Sequence, residues 1–142
     1  MVVVPWWRLQ LELGRQVEHR NKGEMMKTII AGSREGFTIE DVYKAWDFSG
    51  FGISEVVSGG ARGVDRLGEQ WAKEQDVPVK RFIPDWNGPL GKAAGHARNR
   101  DMGDYAEALI ALWDGQSKGT KGMIDYAKKK GLQVYVYTLE DE

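Results

Sequence analysis

Cysteine is absent from the 142 residues, so disulfides, zinc–thiolate sites and cysteine nucleophiles are excluded. Histidine is nearly absent: His19 and His96 stand far apart, without metal-ligand spacing, and neither a zinc enzyme nor any other metal site is expected. An excess of charge of either sign is missing too. A formal net charge of -1 supplies no electrostatic reason to coat nucleic acid or an anionic membrane, so nucleic acid is a disfavoured partner. Long apolar runs do not occur. Met1–Val4 is too short for a signal-peptide core or a membrane span, and Arg8 soon interrupts it, so a cytoplasmic protein is expected. No cofactor motif is evident. Neither G-x-G-x-x-G nor a Walker A pattern is found, which disfavours ordinary NAD dehydrogenases and P-loop NTPases.

What is present fits one globular domain. Hydrophobic residues make up 42% and charged residues 29%, ordinary values that allow a real core, and the length suits one domain better than two. Residues 1–24 read differently from the rest. Pro5-Trp6-Trp7 and the alternating Leu9, Leu11 and Leu13 are followed by a polar run from Gln16 to Glu24. Lys22-Gly23-Glu24 is encodable by a purine-rich stretch like a ribosome-binding site, and Met25-Met26 opens an apolar strand. The expectation is a native start at Met25 or Met26 after a translated leader; the alternative is a genuine arm that packs on the domain (residues 25–142) or on a partner.

From Met26 onward strands and helices alternate. Expected strands are Thr28–Ala31, Ile53–Val57, Val79–Ile83, Ala108–Leu112 and Gln133–Tyr137. The helix between the first two is capped by Thr38, carries Glu40 and Asp41 in its first turn, and is broken by Gly50 and Gly52. The next has Val64, Leu67, Trp71 and Ala72 on its apolar face and ends at Asp76-Val77-Pro78. A long Gly/Pro-punctuated loop, Pro84–Gly95, precedes a short helix around Ala97–Tyr105, and Thr120–Lys130 forms a last helix stopped by Gly131. The expected fold is α/β: a single Rossmann-like three-layer domain with a mainly parallel sheet of about five strands.

Ligands of such sheets sit beyond the carboxyl ends of the strands, where three glycine-bearing turns fall. Gly32, Ser33 and Arg34 form the first. The second is Ser58-Gly59-Gly60-Ala61-Arg62-Gly63-Val64-Asp65, in which glycines admit a ligand close to the backbone, the helix start offers N–H groups, and Arg62 can fork onto phosphate. The alternative there is a tight structural turn with Arg62 paired to a carboxylate. In the third, Ser117, Gly119 and Thr120 (with Lys118) suit a second phosphate or a ribose, although helix capping alone accounts for them. Taken together at one sheet edge, binding is the stronger reading.

The polar loop adds Trp86, which can stack on a base or merely cover the sheet edge, and Lys92, Arg98 and Arg100 as anion contacts. Asn99 can read a base edge or hold the loop. His96 lacks an orienting carboxylate in the sequence and reads as a surface or capping residue rather than an acid/base. Trp46, Trp71 and Tyr105 read as packing residues.

The strand ending in Gly32-Ser33-Arg34, the Gly59-Gly60-Ala61-Arg62-Gly63-x-Asp65 turn, Asp85-Trp86, Gly91-Lys92-x-Ala94-Gly95, Arg98-Asn99-x-x-Met102 and Gly119-Thr120 resemble the YspA-like (cpYpsA-related) branch of the SLOG (SMF/DprA–LOG) superfamily. The resemblance spans residues 26–138 and implies a Rossmann-like domain of bacterial or phage type that binds nucleotides or nucleotide-derived ligands, with homodimers or larger homo-oligomers common. The LOG phosphoribohydrolases of that superfamily use an Arg before the fourth strand and a Glu in P-G-G-x-G-T-x-x-E. Arg98 matches the Arg, but Met123 stands at the Glu position, and a thioether neither activates water nor stabilises an oxocarbenium-like centre. The expected function is therefore sensing or sequestering a phosphorylated nucleotide-type ligand. The alternatives are hydrolysis of a nucleotide or ADP-ribose-like substrate, with Asp65, Arg98 or Asp114 as candidate catalytic groups, and, less favoured, single-stranded nucleic-acid binding.

Overall fold

Short apolar runs alternating with amphipathic helices bury both faces of a central sheet by lying parallel beneath two helical layers. The computed structural model describes residues 25–139, so the leader-or-arm alternative for 1–24 lies outside the described residues. The strands are β1 (Met26–Gly32), β2 (Ile53–Ser58), β3 (Val79–Arg81), β4 (Ala108–Leu112) and β5 (Gln133–Tyr137). All pairings are parallel, in the order β3-β2-β1-β4-β5. The helices are α1 (Ile39–Ser49), α2 (Val64–Glu74), α3 (Ala94–Tyr105) and α4 (Lys118–Lys130), with a 3-10 turn at Gly91–Ala93 leading into α3.

Side chains that alternate along each strand divide the core in two. Ile30 of β1 and Ala108, Ile110 and Leu112 of β4 pack with Val42, Trp46 and Trp71 under α1 and α2. Ile29, Ala31, Leu109 and Ala111 face the other way, onto Met102, Met123 and Ala127 of α3 and α4. Trp46 and Trp71 meet edge-on with ring centroids 5.0 Å apart, and the Trp46 indole donates to the Phe51 carbonyl, so both serve packing. Local chemistry sets the helix ends. Thr38 and Asp41 form a reciprocal capping box on α1, and Gly50 closes it in the left-handed conformation.

Two boundaries differ from the sequence expectation. β3, an exposed edge strand, stops at Arg81, where its pairing with β2 ends at Ser58, and Ile83 lies against the Gly60 turn. Helix α3 begins at Ala94, inside the stretch read as loop, with the Trp86 ring lying over Gly95. Among the described residues no helix is long and apolar enough to cross a membrane, and no cluster of His, Asp or Glu could hold a metal ion.

Candidate functional site

β1 lies between β2 and β4, so the chain leaves β1 to one side and later returns on the other; the crevice at that reversal is where open α/β sheets take ligands. Ser33 clasps the three turns that meet there. Its N–H donates to the Leu112 carbonyl (3.0 Å), its carbonyl accepts from the Val64 N–H (3.2 Å), and its hydroxyl accepts from the Asp114 N–H (3.1 Å). At 3% exposure it braces the edge and does not line the cleft.

The turn entering α2 is built by its glycines. Gly63 is the N-cap residue with φ +83°, and a Cβ there would stand 2.5 Å from the Arg34 backbone, so the β1 and β2 turns touch through it. Ser58 is fully buried; its hydroxyl donates to Glu69 (2.7 Å) and accepts from the Gly60 N–H (3.1 Å), which leaves it facing the protein. No side chain of the N-cap residue caps α2. Instead Asp65, in the first helical turn, folds back so that its Oδ2 accepts the Ala61 N–H (3.1 Å).

Arg98 of α3 crosses to this turn. Its Nη1 donates to the Gly59 carbonyl (2.8 Å) and its Nε to Asn99 Oδ1 (2.9 Å), while Asn99 Nδ2 reaches the Gly119 carbonyl at 3.5 Å. A Cβ on Gly59 would fall 2.3 Å from Arg98 Nη1 and 2.9 Å from Asp65 Oδ2, so the absent side chain is what lets guanidinium and carboxylate converge there. The turn entering α4 is closed differently. Asp114 Oδ1 accepts the N–H groups of Gln116 and Ser117 (2.8 Å each), and Ser117 Oγ caps Thr120.

These turns enclose a cleft of about 460 Å³. Of the residues singled out in the sequence, Gly32, Arg34, Arg62, Asp65, Arg98 and Asn99 line it, as do Asp114, Ser117, Gly119 and Thr120. Gly59, Gly60 and Gly63 shape the α2 turn behind that lining. Trp86 (54% exposed) covers Gly95, and Lys92 and His96 are exposed; all three lie away from the cleft wall. Ala31, Glu35, Ala61, Met102 and Met123 line the cleft and were not among the expected site residues. Ala31, Met102 and Met123 are core residues of the α3/α4 face whose ends show through the floor, so their apolar periodicity hides the role. Glu35 sits at the rim and pairs with Arg62 at 3.6 Å between exposed side chains, an interaction of little energetic weight.

The two aspartates differ in acidity. Burial of Asp65 raises its pKa from 3.8 to about 6, against the pull of the Ala61 N–H, Arg98 and Arg34. The backbone N–H groups of Ser117 and Gln116 hold Asp114 below the usual carboxylate range. Burial also lowers the pKa of Arg98, opposed by the Asp65 charge. The lining thus carries three cations (Arg34, Arg62, Arg98) and three acids (Glu35, Asp65, Asp114). It can fork guanidinium groups onto an oxyanion, accept hydrogen bonds from hydroxyls at Asp114, and move a proton at Asp65 near neutral pH.

Residues 26–88 match the model of the YspA, cpYpsA-related SLOG family. Gene 61 protein of Mycobacterium phage D29 is 32% identical over 123 residues, covering 78% of this chain and 94% of that protein. The SPbeta prophage-derived protein YoqJ of Bacillus subtilis is 34% identical over 55 residues, covering 39% of this chain and 32% of its own length. Among solved structures, DNA processing protein A (DprA) of Streptococcus pneumoniae superposes with a TM-score of 0.64 at 19% identity, over 79% of this chain and 50% of DprA. That likeness concerns the fold, and this chain spans half of the DprA length.

Proposed function

Since the chain belongs to the YspA, cpYpsA-related SLOG family, we propose that its cleft binds a nucleotide or nucleotide-derived phosphorylated ligand and that the protein senses or sequesters it. One observation carries this reading: Arg34 and Arg98 converge with the Gly59–Gly63 turn on a single cleft at the sheet reversal between β1 and β4. Guanidinium groups and helix-start N–H groups at one place suit a phosphoryl oxygen. On the opposite wall, Asp114 and the Ser117–Thr120 turn suit the hydroxyls of a sugar.

A second reading, hydrolysis of a nucleotide or ADP-ribose-like substrate, draws on Asp65 alone, a buried cleft carboxyl with a pKa of about 6 that fits an acid/base working near neutrality. Met123, which takes the LOG glutamate position in the sequence resemblance, lies on the cleft floor, so that carboxylate has no counterpart there. The test is to denature the purified protein, identify released small molecules by mass spectrometry, and incubate the native protein with a nucleotide panel. Saturable binding without product supports the sensor. Arg34→Ala is expected to weaken binding about tenfold to a hundredfold, the loss of a hydrogen bond to a charged group, with the melting temperature little changed. Turnover abolished by Asp65→Asn supports the hydrolase, and a panel from which nothing binds overturns both.

A further inference from the structure

The cleft already holds an anion of its own. Asp65 is 7% exposed, lines the cleft, and places Oδ2 on the Ala61 N–H inside the α2 turn. Arg98 faces it from α3 and Arg34 from the turn after β1. Its acidic neighbour is Glu69, one turn along α2, which is engaged by Arg81 (3.0 and 2.5 Å) and by Ser58. Asp114 lies across the cleft, and Glu35 and Arg62 pair at the rim. A phosphoryl oxygen approaching Arg98 and the Ala61 N–H therefore meets a carboxylate that already accepts that N–H and faces that guanidinium, whose Nη1 and Nε donate to the Gly59 carbonyl and to Asn99. Two anions that close together in a partly desolvated site do not both stay ionised.

We propose that Asp65 is the resident anion of the Gly59–Gly63 turn, and that an oxyanion ligand gains the Ala61 N–H and the uncompensated charge of Arg98 only as Asp65 takes up a proton. The inference deepens the phosphoryl-binding reading above and rests on it. Protonation turns Asp65 from a competitor into a donor, since a carboxylic acid offers an O–H to the incoming oxygen. It also changes a lining of balanced charge into one with a net positive charge. Because burial has already moved Asp65 to about 6, the proton is available near neutrality. Ligand binding and pH then act on one residue: acidification favours loading, and alkalinity favours release.

The experiment uses the full chain and sulfate, a tetrahedral oxyanion that does not titrate between pH 5 and pH 8, followed through the Ala61 amide resonance by NMR at constant ionic strength. For a one-proton requirement on a group with a pKa of about 6, affinity is expected to fall about a hundredfold from pH 5 to pH 8. In Asp65→Asn the dependence vanishes, and binding at pH 8 matches that of the wild type at pH 5. Should that variant fail to fold, the wild-type Asp65 carboxyl, followed by carbon NMR, is expected to titrate at higher pH with sulfate than without. Affinity that is flat with pH in the wild type, or a slope that persists in Asp65→Asn, overturns the proposal, as does a carboxyl titration unmoved by sulfate. Failure of sulfate to perturb Ala61 at any pH overturns it as well, while the nucleotide panel judges the broader reading independently.

Discussion

The turns entering α2 and α4 use the same parts to opposite ends. Each follows a buried strand, contains glycine, opens a helix and contains an aspartate that accepts backbone N–H groups. At α4 the aspartate is exposed, accepts two N–H groups and titrates below the usual carboxylate range, while Ser117 caps the helix. At α2 the aspartate is buried, accepts one N–H group and is raised to about 6 even with two arginines facing it. Loss of hydration outweighs the hydrogen bond and both cations together. The α4 turn is thus internally satisfied and its acid stays ionised, whereas the α2 turn holds an acid poised to change charge. Similar local sequences give a structural cap in one place and a candidate switch in the other.

The strongest way to break the comparison is Gly63→Ala. Its φ of +83° and the 2.5 Å approach of a new Cβ to the Arg34 backbone combine left-handed strain with overpacking. A loss of about 3–5 kcal/mol is expected in chemical denaturation, with the α2 turn displaced. Asp65→Asn sharpens the contrast through pH. A folded-state pKa above the ordinary 3.8 means that this group's contribution is fully present below about 4 and is lost as pH rises through about 6. The variant is therefore expected to be more stable than the wild type at pH 8, by on the order of 3 kcal/mol, with the gap closing towards pH 4 in paired melts. Equal melting curves at both pH values would refute the buried-acid account. Ser117→Ala is the mildest change: removing the α4 cap costs about 1 kcal/mol at every pH between 5 and 8, because no titration is involved.

Much of the fold was legible. Ala108–Leu112 reads as a buried strand because a parallel strand covered on both faces is apolar without alternation, and Thr38 and Gly131 mark helix ends through capping chemistry. Two things misled. Phe82 and Ile83 extend an apolar pattern past the sheet edge, where Ile83 packs towards the Gly60 turn instead. Gly91 and Gly95 suggest a loop, yet Trp86 lying on Gly95 accompanies a helical start at Ala94.

By itself the sequence determined the parallel α/β architecture and the three glycine-bearing turns, because helix and strand periods and turn glycines are local properties. Only the tertiary structure decided which way their side chains face. Ser33 turns inward onto Asp114, 81 positions away, Ser58 turns inward onto Glu69 on the helix that follows, and Arg98 spans 39 positions to reach Gly59. Above all, it decided that Asp65 lies dry and Asp114 wet. Hydration depends on what the rest of the chain lays over a group, and no local pattern encodes that.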